Sequence, residues 1–194
     1  MRGLNRLTPA RGPAKLIHMN AFSSTAARLA SSAPACVEDG ARERLGAETF
    51  PLARESERHL RVRAMLTRQF NRALSEAYLV IPCGFVRLAP DIEVRPDLHV
   101  HAGAKRSEDV RGGDIALAIE ICQGSAMLDY ERKVPHYARS GVRELWVLDL
   151  DTERVVMFRK PTPHGYFNCT EHPPTATLTP EAFPGFATSL AGLA

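Results

Sequence analysis

The chain has 194 residues, which is enough for one domain with a sizeable core and a short appended segment. Hydrophobic residues make up 44% of it and charged residues 24%, which excludes a wholly disordered chain, a fibrous repeat and a protein with several membrane spans. The formal net charge is +3, but residues 1–37 contain five basic residues and no acidic one. Removing these five from the 25 basic residues leaves 20 against 22 acidic residues, so the charge of the remainder does not indicate a nucleic-acid-binding surface.

The first 50 residues mix Ala, Ser, Arg, Gly and Pro without a sustained apolar period. Such a segment cannot bury enough surface to offset the entropy of ordering, so we expect a basic, disordered leader over residues 1–50 and a folded domain over residues 51–194. The leader composition fits a transit segment, a disordered tail, or extra sequence ahead of a start at Met19. The sequence has no run of 18 apolar residues and no secretory apolar region, so we expect a cytoplasmic protein without membrane contact.

The four cysteines lie far apart and form no Cys-x-x-Cys pair or Cys/His metal-ligand spacing. A zinc site needs such short spacings, and a disulfide framework needs an oxidising compartment. We therefore expect free thiols at Cys36, Cys83, Cys122 and Cys169.

The first predicted element is a helix within Arg54–Ala77, where apolar residues recur at helical spacing. Its other faces carry many arginines, namely Arg54, Arg58, Arg61, Arg68 and Arg72. Three short β-type runs follow at Tyr78–Ile81, Phe85–Leu88 and Val94–Val100, separated by Pro- and Gly-containing turns. Their close succession predicts a meander.

The most apolar segment, Ile115–Cys122, predicts a buried strand whose only charge is Glu120. Ser125 begins a predicted helix that runs to about Arg139, with a kink expected at Pro135. A strand at Glu144–Asp149, an acidic turn and a hairpin partner at Arg154–Arg159 complete the pattern. This order predicts an α/β or α+β domain with a mixed central sheet flanked by helices.

The sequence lacks the glycine-rich phosphate loops and the serine-hydrolase motif, and what remains is a carboxylate pair. Asp97 follows a proline at a strand, and Glu120 lies near the end of the apolar strand, so neighbouring strands could bring both to one point. Two carboxylates held together repel each other unless a cation lies between them, and Mg²⁺ prefers oxygen ligands. Lys133, about two turns into the next helix, could stabilise charge on a phosphate.

Each of these residues also has a structural interpretation. Asp97 could simply follow a turn, Glu120 could pair with a buried basic group, and Lys133 could pair with Asp129 one helical turn away.

Four segments in order resemble the Uma-two family of restriction endonucleases, which belongs to the PD-(D/E)XK nuclease superfamily. They are Pro96-Asp97, Ala118 to Ile121, Asp129 to Ala138 and Gly141 to Asp149. Further agreement comes from the first helix, with His59, Val62, Leu66 and Phe70, and from residues 178–185 near the end. The similarity covers roughly residues 55–193.

The resemblance implies a restriction-endonuclease-like core and a Mg²⁺ site, with Mn²⁺ as the alternative ion, made by Asp97, Glu120 and the carbonyl of Ile121. It implies Lys133 as the active-site lysine. The expected activity is hydrolysis of phosphodiester bonds in nucleic acid, with DNA as the first expectation. A homodimer would fit this class, and the segment Arg154–Arg159 is the candidate contact edge.

The superfamily pattern has its lysine two residues after the glutamate, where this sequence has Cys122, and a lysine reaching in from the helix resembles the displaced-lysine arrangement of the family. Two departures from the family pattern keep an alternative open, a nuclease-fold module without turnover that binds nucleic acid or protein. Gln123 and Gly124 stand where acidic and small residues are common. The usual N-terminal Tyr-Glu pair and hairpin are not recognisable in residues 1–50. An unrelated hydrolase with a coincidental acidic pair is a third interpretation.

Four other residues have mainly structural interpretations. We expect His59 to cap or pack the first helix beside Glu55, and Tyr137 and Trp146 to be core aromatics. Gln123 could orient a metal-bound water, but a surface position is an equal expectation.

Overall fold

The computed structural model describes residues 41–191 apart from Ala53 and Ser125. Two α-helices and ten strands lie in this part of the chain. In chain order they are β1 (Arg42–Leu45), β2 (Glu48–Pro51), α1 (Glu57–Ala73), β3 (Tyr78–Pro82), β4 (Val86–Ala89), β5 (Ile92–Val94), β6 (Leu98–Ala102), β7 (Ile115–Cys122), α2 (Ala126–Arg139), β8 (Glu144–Asp149), β9 (Arg154–Thr162) and β10 (Gly165–His172). Residues 1–40 lie outside the described residues, and the leader assigned to them stays a prediction.

The central sheet has six strands in the order β10-β9-β8-β7-β6-β3. Strands β7 and β8 are parallel, with α2 as the connection between them, and the other neighbours are antiparallel. The predicted mixed sheet and α+β class are therefore confirmed.

Each helix covers one face of this sheet, which explains why β7 is buried at every position. Alternate residues of β7 point to opposite faces. Leu117, Ile119 and Ile121 pack in the core cluster that contains Val62, Leu66 and Phe70 of α1. Ala118 and Cys122 pack in a second cluster with Tyr130, Val134 and Tyr137 of α2. Glu120 lies two residues from both Ala118 and Cys122 along β7, so its side chain is on the same face of the sheet, toward α2.

Helix α1 begins later than the apolar pattern predicted because Ser56 caps it. The Ser56 side chain accepts a hydrogen bond from the backbone N–H of His59, and the backbone of Ser56 is extended. The predicted helix at residues 125–139 is observed as α2, and Pro135 lies inside it without ending it.

A second sheet of four strands has the order β2-β1-β5-β4, and it corrects two predictions. The run Val94–Val100 is two strands rather than one, because Arg95 and Pro96 separate β5 of the small sheet from β6 of the large one. Strand β3 pairs with β6 and not with β4, so the predicted meander is wrong.

The β1–β2 hairpin lies inside the segment that the sequence analysis assigned to the leader. Residues Arg42–Pro51 pair with one another, and β1 also pairs with β5. The folded part therefore includes a hairpin that begins before residue 51 and that the sequence pattern did not reveal.

The expected dimer edge at Arg154–Arg159 is also corrected. These residues lie in β9, which is hydrogen-bonded to β8 on one side and to β10 on the other, so its backbone is not free to pair with a second copy.

No described helix is both long enough and apolar enough to cross a membrane.

Candidate active site

Asp97, Glu120 and Lys133 line one cavity of about 110 Å³. They come from three separate elements: Asp97 directly precedes β6, Glu120 lies on β7, and Lys133 lies on α2. The structure therefore brings together the three residues that the sequence analysis singled out. The charged residues of the lining are Glu43, Glu55, His59, Arg95, Asp97, Glu120, Arg132 and Lys133.

Asp97 is buried, and protein donors contact both of its carboxylate oxygens. Oδ2 accepts the backbone N–H of Ile121 at 2.8 Å, which ties the start of β6 to β7. Oδ1 lies 2.6 Å from Nε2 of His59 and 3.0 Å from a guanidinium nitrogen of Arg63. Burial alone would raise the pKa of Asp97, but His59, the Ile121 N–H and Arg63 together lower it, so the group stays ionised.

Glu120 is also buried, but its pairing is less complete. Oε1 accepts a hydrogen bond from the Tyr137 hydroxyl at 2.7 Å and lies 3.2 Å from Nζ of Lys133. Among the described residues, no hydrogen bond falls on Oε2, so this oxygen is available to a ligand. Burial raises the pKa of Glu120 to about 7; Lys133 and the Tyr137 hydroxyl oppose this shift, while the charges of Glu43 and Asp97 add to it.

Lys133 lies between two carboxylates. Its Nζ is 2.7 Å from Glu43 Oε2 and 3.2 Å from Glu120 Oε1. Burial alone would lower the pKa of Lys133, but the charges of Glu120 and Glu43 raise it above its ordinary value, so the ammonium stays charged. The side chain of Asp129, the partner considered in the sequence, lies outside the described part of the chain.

Glu43 is the residue of this cavity that sequence reasoning missed. It lies on β1, is 5% exposed, and its Oε1 accepts the backbone N–H of Arg95 at 2.7 Å. The available signal was the two-residue loop Gly46-Ala47, in which Gly46 has a φ of +68°, a conformation that suits glycine in a tight hairpin. Recognising that hairpin would have placed Glu43 on a strand.

His59 has a different partner from the one expected. The sequence suggested a contact with Glu55, but His59 contacts Asp97, and Glu55 instead pairs with Arg63 through both carboxylate oxygens, at 2.7 and 2.6 Å. Arg63 thus bridges Glu55 and Asp97, and fixes the position of both.

The two cysteines of the cavity do not replace the missing lysine. Cys122, at the lysine position of the superfamily pattern, is buried, and burial raises the pKa of its thiol. Cys83 forms a cluster with Glu55 and Asp97 in which the potential ligand atoms lie within 4.8 Å of one another. Burial raises the pKa of the Cys83 thiol as well, so both thiols are protonated at neutral pH. The expectation of free thiols is confirmed for Cys83, Cys122 and Cys169, whereas Cys36 lies outside the described residues.

Gln123 and Gly124 lie outside the cavity. Gln123 is exposed and accepts a hydrogen bond from the Ser56 hydroxyl, and the Gly124 N–H donates to Asp151. Trp146 is fully buried, as predicted. Tyr137 is buried as predicted, and its hydroxyl also contacts Glu120.

The donor set suits a hard divalent cation. Asp97, Glu120 and Glu43 supply carboxylate oxygens at one cavity, and Ile121 lines the same cavity. Glu120 retains an oxygen that has no donor in the described part of the chain. Mg²⁺ and Mn²⁺ take such oxygen ligands, so the residues present fit either ion.

A family model described as "Putative restriction endonuclease" and named Uma2 matches residues 38–191. Among solved structures, the chain is similar to a putative nuclease belonging to DUF820 from Anabaena variabilis. The TM-score is 0.64 and the identity 16%, over 81% of this chain and 91% of that one, which supports the shared fold. No curated protein matches the chain. Because the family match covers most of the sequence, an unrelated hydrolase is no longer supported, and the chain belongs to the Uma2 family.

Proposed function

We propose that this protein is a divalent-metal-dependent nuclease that hydrolyses phosphodiester bonds in nucleic acid, with Mg²⁺ as the first expected ion. The observation that carries the proposal is the convergence of Asp97, Glu120 and Lys133 on one cavity from three elements. Membership of a family described as a restriction endonuclease agrees with it.

Asp97, Glu120 and the carbonyl of Ile121 would hold the ion. When bound there, Mg²⁺ would polarise the phosphate and activate a water molecule. Asp97 is held in position by the Ile121 N–H, His59 and Arg63, and Glu120 by the Tyr137 hydroxyl. These contacts fix the carboxylates in advance, so little reorganisation is needed when a ligand enters.

Lys133 would contact the scissile phosphate. Its ammonium is kept charged by Glu120 and Glu43 and could stabilise the charge that develops on the phosphate oxygens. It reaches the cavity from α2, whereas the position two residues after Glu120 holds Cys122.

A second candidate function is a nuclease-fold module that binds nucleic acid without cleaving it. The specific observation in its favour is that protein donors and Lys133 already compensate much of the negative charge of the carboxylates in the cavity. Lys133 is closer to Glu43, at 2.7 Å, than to Glu120, and both oxygens of Asp97 have protein donors.

The test is cleavage of supercoiled plasmid, single-stranded DNA and RNA with Mg²⁺ or Mn²⁺. We expect the wild type to cut at least one substrate and Asp97→Asn to cut none. A Lys133→Ala variant should lose more cleavage than metal affinity, because the ammonium acts on the phosphate and is not a ligand. Lys105→Ala, which removes an exposed lysine paired with Asp114, is the matched control and should behave as wild type.

If the wild type cuts none of these substrates with either ion, the nuclease proposal is wrong and the binding module replaces it. Equal losses of cleavage and metal affinity in Lys133→Ala would contradict the role given to Lys133.

A further inference from the structure

A shallow groove of about 850 Å³ lies between α1 and the end of β3, outside the cavity described above. Three arginines of α1 line it, Arg63, Arg68 and Arg72, together with Thr67 and Asn71. Among the described residues of its lining there is no carboxylate. The Arg63 guanidinium is already paired with Glu55 and Asp97, so Arg68 and Arg72 are the arginines that would attract an anion to the groove, even though the domain as a whole is slightly acidic.

The groove lies next to the cavity. Cys83 lines both of them, and Arg63 lines the groove while it donates to Asp97 Oδ1 at 3.0 Å. A ligand that lay in the groove would therefore approach Asp97 along the protein surface.

The arginines of α1 differ in how they are already used. Arg58 is paired with Glu153 at 2.6 Å, and Arg61 with Glu57 on its own helix. No ion pair joins Arg68 or Arg72 to any described residue. These two are exposed and lie four residues apart, so their side chains are neighbours on one face of the helix.

We propose that this groove binds the sugar-phosphate backbone of a nucleic acid strand, with Arg68 and Arg72 contacting phosphates, and leads that strand to the cavity. The proposal rests on the proposed function and specifies how its substrate would lie. The guanidinium fork matches phosphate geometry, and the contacts carry no sequence information, so the groove would position the strand rather than select a sequence.

The test is a binding titration with a fluorescein-labelled DNA of 20 nucleotides, as a single strand and as a duplex. Fluorescence anisotropy reports the binding, in a buffer that contains EDTA. The full chain is compared with the double variant Arg68→Gln/Arg72→Gln. The matched control is Arg87→Gln/Arg106→Gln, which removes the same charge from two exposed arginines away from the groove. Glutamine is a good helix former, so the groove variant should fold.

We expect the groove variant to bind at least one of the two DNAs about tenfold more weakly than wild type. The slope of log affinity against log salt concentration should also be smaller in magnitude, by about 1.4 for the single strand or 1.8 for the duplex, because two phosphate contacts are lost. The control should bind as wild type does. Equal weakening in both variants, or no binding by the wild type, would overturn the groove proposal.

Cleavage measured separately distinguishes this proposal from the nuclease proposal. Groove-dependent binding without cleavage supports the groove and contradicts the nuclease. Cleavage that is unchanged in the groove variant supports the nuclease and contradicts the groove.

Discussion

Two buried glutamates, Glu120 on β7 and Glu144 on β8, lie on neighbouring parallel strands with opposite surroundings. Glu144 is 1% exposed and fully paired. Its Oε1 accepts from Trp146 Nε1 at 2.7 Å and from two nitrogens of Arg159, at 2.9 and 2.7 Å, and its Oε2 accepts the Glu181 N–H. Glu120 is 6% exposed, and its described hydrogen bonds fall on one oxygen at the wall of a cavity.

The difference between them separates a structural charge from a candidate catalytic one. Glu144 joins β8, β9 and the C-terminal segment because donors from each of them contact its carboxylate. Glu120 is incompletely paired, and its charge is disfavoured by burial and by two other carboxylates. Burial of a carboxylate is therefore not by itself a sign of function; incomplete pairing at a cavity is the informative feature.

The largest expected effect is on stability, at Glu144. Replacing Glu144 with Ala leaves the buried Trp146 Nε1–H and the Glu181 N–H without their acceptor, and removes the carboxylate that pairs with the partly buried Arg159. The free energy of unfolding should therefore fall by about 3–5 kcal/mol. At this chain length that corresponds to a melting temperature roughly 10 °C lower, measurable by circular dichroism. Glu93→Gln, which removes a half-exposed carboxylate on β5, is the control and should melt as wild type does. A variant at Glu144 with an unchanged melting temperature would contradict the structural role.

Glu120→Gln should lower cleavage and leave stability unchanged, the opposite of what is expected at Glu144. If Glu120 is a metal ligand, cleavage should fall by about 10²- to 10³-fold, equivalent to about 3–4 kcal/mol of transition-state stabilisation. Stability in metal-free buffer should not fall, because the substitution removes a buried charge that burial already disfavours. Cleavage rate and thermal melting are measured on the same preparations, with Glu93→Gln as control. If the variant lost stability but not cleavage, Glu120 would have a structural role like that of Glu144 and would not be a metal ligand.

His99 is a buried base on β6, the strand next to β7, and its effect on stability changes with pH in the opposite direction to that of Glu120. His99 on β6 is 4% exposed, its Nδ1 has no described partner, and burial together with the His101 charge lowers its pKa from 6.5 to about 4. Between these values the unfolded chain binds the proton and the folded chain does not, so stability is lost as the pH falls from about 6.5 to 4, by about 3 kcal/mol in total. Glu120, whose pKa is raised, has the opposite sign over an overlapping range.

Denaturant unfolding of wild type and His99→Leu from pH 7 to pH 4 measures this effect. The wild type should lose stability relative to the variant as the pH falls. A constant difference between the two proteins over this range would show that His99 is not held neutral in the fold.

The elements that carry Glu120 and Lys133 could be predicted because their sequence patterns are strong. Glu120 is the single charge in an eight-residue apolar strand, and Lys133 lies on the α2 helix, so their elements were identifiable from local pattern. Asp97 was placed less well, because the run predicted as one strand over Val94–Val100 is divided, and Asp97 lies between β5 and β6.

What the sequence missed depends on contacts between distant segments. The strands of the β1–β2 hairpin are four residues long and rich in charge, so no apolar alternation marks them, and β1 is placed by pairing with β5. The pairing of β3 with β6 skips the nearer strand β4, although local succession favours neighbours. Glu43 was missed for the first reason, and the meander was wrong for the second.

The smallest effect tests whether Glu43 belongs with Glu120 or with Glu144. If Glu43 positions Lys133 through their 2.7 Å contact, Glu43→Gln should lower cleavage by about tenfold, within the range for residues that orient an active-site group. Its charge also raises the pKa of Glu120, so its removal should move the acidic limb of the pH–rate profile to lower pH. Glu48→Gln, at an exposed position of the same hairpin, is the control. A merely structural Glu43 would lower cleavage only in proportion to the loss of folded protein, measured by circular dichroism on the same preparation, because the shift of the limb reports the Glu43 charge beside Glu120 in either case.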